Sequence, residues 1–203
     1  MEIFWDIEQG TEEWHELRRG VVTASEFSTV LAPGKGGKGT PSVTRRKYML
    51  TLISDRMGGA PSDGYSSRQM ERGKAMEADA LRLYNALHAK TERVGFVKRN
   101  DDVGCSPDAF VGTDGMVQVK TAEPAIQLER VLKPELPAEH VCQVQGELWV
   151  AEREWSDFIS YWPGLPLMVT RVYRDEVKIK SIELGVELFL NEMQELMARL
   201  EAA

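Results

Sequence analysis

The stretch GCSPDAFVGTDGMVQVKTAEP, from Gly104 to Pro124, constrains this chain more than any other. Asp108 leads into a short apolar run, Ala109 to Val111. A glycine-bounded turn spans Gly112 to Gly115, and Met116 to Lys120 forms a second run. Successive side chains of a strand point to opposite faces. Met116, Gln118 and Lys120 therefore share one face, and Val117 and Val119 the other. Such a hairpin returns Asp108 to the side of Gln118 and Lys120. An acid, an amide and an ammonium then meet at the end of a sheet.

The flanking sequence alternates helix and strand signals. Thr11 is placed to cap a helix from Glu12 to Arg19, which Gly20 ends. Thr23-Ala24-Ser25-Glu26 has the form of a capping box that opens a second helix. Backbone N–H groups at such a start attract anions, the Ser25 hydroxyl adds a donor, and Arg18 lies close enough to grip a phosphate. Lys35 and Lys38 make the glycine-rich stretch from Ala32 to Ser42 a basic loop able to close over a DNA backbone. A helix from Ser42 to Met57 follows, with Val43, Tyr48, Met49, Leu52 and Ile53 inward and Arg45, Arg46 and Lys47 beside the basic loop. Gly58-Gly59 stops it.

The next helix runs from Ser67 to Ala89, with Met76, Ala80, Leu83 and Leu87 as its core stripe. Glu77 shares a face with Ala80, Leu81 and Tyr84, and a carboxylate there needs a partner: Lys74, Arg82 or a metal ion. Thr91 to Lys98 reads as a strand. Beyond the hairpin, a helix from Pro137 to Trp149 turns Val141, Val144 and Leu148 inward, with Gln145 beside them. Trp155 to Trp162 and Leu167 to Arg174 read as strands. A long helix from Asp175 carries Leu184, Leu188, Met193, Leu196 and Leu200 as its apolar side. The pattern predicts an α/β fold, a central mixed sheet flanked by helices, with residues 1–203 as one domain.

The 203 residues, 42% hydrophobic, suffice for one full core. No apolar run reaches membrane-spanning length. Cys105 and Cys142 form no CxxC pair, which points to a reducing, cytoplasmic setting without a cysteine-ligated metal. The net charge of -7 opposes a wholly basic DNA-binding face. Basic residues crowd the first quarter of the chain, so the expectation is a local basic track on an acidic body.

Pro107-Asp108 followed by Gln118-Val119-Lys120 resembles the hairpin of the PD-(D/E)xK nucleases, with Gln118 where that superfamily has an acid. The wider match is to the lambda exonuclease (YqaJ-like) viral recombinase family. Trp14-His15, Leu17-Arg18, Gly20-Val21 and Thr23-Ala24-Ser25-Glu26 resemble its N-terminal motif. Gly73-Lys74 with Glu77-Ala78-Asp79-Ala80, Cys105-Ser106-Pro107-Asp108, and Gln143-Val144-Gln145 with Leu148-Trp149 match three more, in the family's order.

The resemblance implies a PD-(D/E)xK nuclease-like core and a 5'-to-3' exonuclease that resects linear duplex DNA to 3' overhangs. It implies two Mg2+ ions, with Mn2+ as a substitute, held by Asp108, Gln118, the Val119 carbonyl and Glu77, with Lys120 at the attacking water. One of Asp101 and Asp102 approaches the metals. Arg18, Ser25 and Gln145 hold the 5'-phosphate, and Lys35, Lys38 and Arg45 follow the DNA backbone. Partners are duplex DNA ends, two further copies in a homotrimeric ring and a single-strand annealing protein, in a bacterial host of phage or prophage. Glutamine at 118 keeps the shape of glutamate but removes one negative charge. The chain is therefore expected to be inactive or severely impaired, either as an engineered trap, which the other intact motifs favour, or as a natural non-cutting relative. A non-catalytic DNA-end-binding protein is the alternative.

Overall fold

The computed structural model describes residues 1–34, 42–59 and 68–202, without the side chains of residues 68–72 and 74. Strand β1 (Glu2–Phe4) leads to helix α1 (Glu12–Arg18), where the Thr11 hydroxyl accepts the Trp14 N–H at 3.3 Å. Gly20, at φ +70, ends that helix in a conformation side chains rarely adopt. Strand β2 (Val22–Thr23), a 3-10 turn (Ala24–Glu26) and the one-turn helix α2 (Phe27–Val30) follow. Helices α3 (Val43–Arg56) and α4 (Arg68–Leu87) precede strands β3 (Phe96–Lys98) and β4 (Val103–Cys105). The expected hairpin is β5 (Ala109–Val111) and β6 (Gly115–Thr121). Helices α5 (Pro124–Leu132) and α6 (Ala138–Val150), strands β7 (Trp155–Tyr161) and β8 (Met168–Tyr173), and helix α7 (Glu176–Glu201) complete the chain.

The expected central sheet is two four-stranded mixed sheets, ordered β1-β3-β4-β2 and β5-β6-β7-β8. In the second, β6 and β7 run parallel while β5 and β8 pair antiparallel on the outside. A single bridge, Glu92 to Phe110, links the strand region before β3 to β5.

Two apolar cores sandwich β6. Met116 packs with Val144 and Leu148 of α6, whereas Val117 and Val119 pack with Met76, Ala80, Leu81 and Tyr84 of α4. Alternation therefore turns Gln118 and Lys120 toward α6. On α4 the buried face is the one that carries Glu77, while Leu83 and Leu87, expected in the core, are exposed. Tyr84 anchors this face: its hydroxyl donates to Asp157 on β7 at 2.5 Å, and Arg171 on β8 makes two 2.8 Å bonds to the same carboxylate. On α7 the core residues are Ile179, Ile182, Val186, Phe189 and Met193; Leu184, Leu188 and Leu200 face outward, as does Val43 on α3.

Helix α6 reaches the site because Gly146 has no side chain. A Cβ there would meet the buried Phe27 ring at 2.3 Å. Glycine to alanine in an exposed helix usually gains about 1 kcal/mol. Here Gly146→Ala is expected to lose about 1–3 kcal/mol through overpacking. Urea denaturation of both proteins checks this, and a stabilised variant would show that α6 is free to move.

Candidate metal and phosphate site

The hairpin register sets Ala109 opposite Val117, so Asp108 falls beside Gln118. Asp108 Oδ2 accepts the Val119 N–H at 2.5 Å and Gln118 Nε2 at 3.0 Å. Only the amide nitrogen of Gln118 can donate, so the amide's oxygen is turned elsewhere. Gln118 Oε1 is buried with no hydrogen-bond partner. Burial pushes the Asp108 carboxyl well above the usual range, and the charge of Glu77 adds to this. The Val119 N–H and the Lys120 ammonium act in the opposite direction. The structure thus brings Asp108, Gln118, Lys120 and, from α4, Glu77 into one electrostatic neighbourhood.

A third acid stands there that no sequence motif marks. Glu147 of α6 is only 1% exposed. Its Oε1 accepts Gln143 Nε2 at 2.7 Å, and its Oε2 is buried without a partner. Burial raises its carboxyl to about 7, opposed first by Lys120, then by Gln143 and Arg18. The Glu147 charge also adds to the burial that raises the Cys105 thiol. Gln143 and Glu147 are four residues apart and share a helix face, a spacing visible in the sequence.

The expected phosphate pocket of Arg18 and Ser25 adjoins this cradle. Arg18 donates to Ser106 Oγ at 2.9 Å and Thr23 Oγ1 at 3.5 Å, and Thr23 Oγ1 lies 3.2 Å from Ser25 Oγ. Trp14 stacks against the guanidinium at 4.1 Å and donates its indole N–H to Ser106. Burial lowers the Arg18 pKa. Arg18 and Ser25 are brought together as expected, through Thr23. The capping box does not form: Thr23 makes no cap bond and the segment is a three-residue 3-10 turn. Ser106, two residues before Asp108, ties the pocket to the cradle.

Two expected contacts lie elsewhere. Gln145 donates to the Tyr173 carbonyl and accepts the Asp175 N–H, both at 2.9 Å, on the far side of α6. Residues two apart on a helix face nearly opposite directions, so Gln143 takes the site side. Arg45 binds both oxygens of Glu192, at 2.6 and 3.0 Å, and the Val30 carbonyl at 2.9 Å, so it joins α3 to α7. Lys35 and Lys38, and the Lys74 side chain, lie outside the described residues. Asp102 pairs with Arg56 at 2.8 Å. Among the described residues no three His, Cys, Asp or Glu side chains form a ready metal cluster. Asp108 spends Oδ2 on Gln118 and Val119, and the position beside it is an amide.

The YqaJ-like viral recombinase domain matches residues 13–154 of the chain. Among solved structures, the chain is similar to the alkaline exonuclease LHK-Exo of Laribacter hongkongensis, with 30% identity, TM-score 0.81 and coverage of 95% of this chain and 97% of that one. LHK-Exo in complex with dAMP matches with the same values. A phage-related exonuclease of Haemophilus somnus 129PT, 14% identical over 89% of this chain and 96% of its own, has TM-score 0.65 and shares the fold. The comparison with curated protein sequences gives no match.

The raised Glu147 carboxyl has a measurable consequence. An acid whose folded pKa exceeds its unfolded value contributes nothing unfavourable below about 4.5 and its full cost above about 7. In metal-free protein, Glu147→Gln should therefore be neutral near pH 4 and stabilising by on the order of 2 kcal/mol near pH 8. Denaturation in chelator at both pH values checks it; equal stability differences at both would place Glu147 in water.

Proposed function

This chain belongs to the YqaJ-like viral recombinase family, and we propose that it is a metal-dependent exonuclease that resects duplex DNA from 5' ends. The observation that carries the reading is the shared segment Cys105–Asp108. Ser106 completes the Arg18 pocket while Asp108 faces Gln118 and Val119. A strand whose terminal phosphate sits at Arg18 therefore presents its adjoining backbone to the Asp108 cradle. An internal cutter has no use for such a neighbour.

The residues fit hard divalent ions. Gln118 Oε1 is a buried oxygen acceptor without a partner, and Mg2+ and Mn2+ take oxygen ligands. Asp108, Gln118, the Val119 carbonyl and Glu77 would hold two such ions. When bound, they supply Lewis acidity to the scissile phosphate and the leaving 3'-oxygen. Lys120 offers an ammonium that orients the attacking water and favours its deprotonated form. Arg18, with Ser25, Thr23 and Ser106, binds and orients the terminal phosphate.

Gln118 sets the rate. Its amide donates to Asp108, which an ionised glutamate could not do, and must turn over before its oxygen can face a cation. We infer a severely impaired hydrolase at this position as it stands. The same observation favours a second reading, a DNA-end-binding protein that does not cut. Family membership supports a wider extension: a homotrimeric ring around the duplex, working with a single-strand annealing protein.

Linear duplexes carrying a 5'-phosphate or a 5'-hydroxyl, incubated with Mg2+, test the proposal. Gln118→Glu should release nucleotides at least tenfold faster than the unaltered chain, with preference for the phosphate. Arg18→Ala in that background should lose the preference. Tight end binding with no release from either form establishes the non-cutting reading, and cleavage of closed circles contradicts an end-dependent enzyme.

A further inference from the structure

We propose that Glu147 supplies the anionic metal ligand that position 118 lacks, so that helix α6 offers an acid where the hairpin offers an amide. This rests on the reading above of a divalent-metal site and adds a residue to it.

Glu147 is 1% exposed, yet its one hydrogen bond is from the neutral amide of Gln143, and Oε2 has none. Among the described residues no salt bridge includes it. Buried carboxylates are ordinarily paired or bound to metal, because an isolated one is costly. A carboxyl retained only for packing would be protonated and would donate its proton, and Oε2 has no acceptor in reach. A divalent cation bound at Oε2 would meet both the charge and the unpartnered oxygen.

Position supplies the second part. Gln118 and Lys120 face α6, and Glu147 lies on that side, where the charges of Lys120, Arg18 and Asp108 reach it. Two buried oxygens in this one region lack partners, Gln118 Oε1 and Glu147 Oε2. One is a neutral ligand and the other a charged one. A neutral residue at 118 with an acid at 147 carries the same formal charge as an acid at 118 with a neutral residue at 147. Gln143 holds Oε1 and leaves Oε2 for the ion, which makes it a positioning residue. On this account the site keeps its metal-binding charge through an acid on the helix in place of the strand, while the Gln118 amide, turned to Asp108, still slows hydrolysis.

Calorimetric titration of the metal-free full chain with Mn2+ alone tests the proposal without turnover. Glu147→Gln, which keeps the shape, should weaken Mn2+ binding at least tenfold. Adding Gln118→Glu to that variant should return affinity to within about threefold of the unaltered chain. Gln143→Ala, which leaves both acids in place, should weaken binding by a smaller factor and serves if the first variant does not fold. Mn2+ affinity of Glu147→Gln within twofold of the unaltered chain overturns the proposal while leaving the metal site standing. An unaltered chain that binds no Mn2+ at millimolar concentration overturns the metal reading as well.

Discussion

The site depends on the hydrogen bond from the Val119 N–H to the Asp108 carboxylate. It closes the hairpin at the end where chemistry is concentrated, and it favours the ionised form of a carboxyl that burial and the Glu77 charge push well above the usual range. Lys120 helps in the same sense, and Glu77 opposes it. The cradle is therefore a balance of nearby charges in a dry place. Changing a single charge in it shifts every other group.

Helix α6 forms the other wall, and its residues divide the labour by angle. Gln145 faces away and fastens the helix to the connection between β8 and α7. Gly146 allows contact with Phe27. Gln143 and Glu147 face the cradle, joined to each other at 2.7 Å. Each step of about 100° along an α-helix separates these roles, so a shift of two residues would exchange the anchor for a cradle-facing side chain. The opposite wall is α4, held to β7 and β8 by Tyr84, Asp157 and Arg171, with Glu77 two turns upstream of Tyr84.

Much of this was legible before folding. The Gly104–Pro124 hairpin, the Thr11 cap and the α3, α6, β7, β8 and α7 segments carry strong local signals, and local physics decides them. Strands β1, β2 and β4 are two or three residues long, too short for alternation to register, and α5 was passed over. Leu83, Leu87, Leu184 and Leu188 face outward against their sequence pattern, because α4 and α7 have apolar residues to spare and tertiary partners choose among them. Arg45 reads as a free cation in sequence, and only the fold brings Glu192 to it across the chain. Glu147 was hidden differently: it sits in an apolar run, and its meaning comes from Lys120 and Asp108, far away in sequence.

The central claim is spatial: oxygens of Asp108, Gln118 and Glu147 surround a common place for a divalent cation. Anomalous diffraction from crystals soaked in Mn2+ examines it directly. The account predicts a manganese peak within about 2.0–2.6 Å of an oxygen of Asp108, with Gln118 Oε1 and a Glu147 oxygen turned toward the same ion or its neighbour. Manganese found only on surface carboxylates, with Gln118 still donating to Asp108 and Glu147 Oε2 still without a partner, would contradict it.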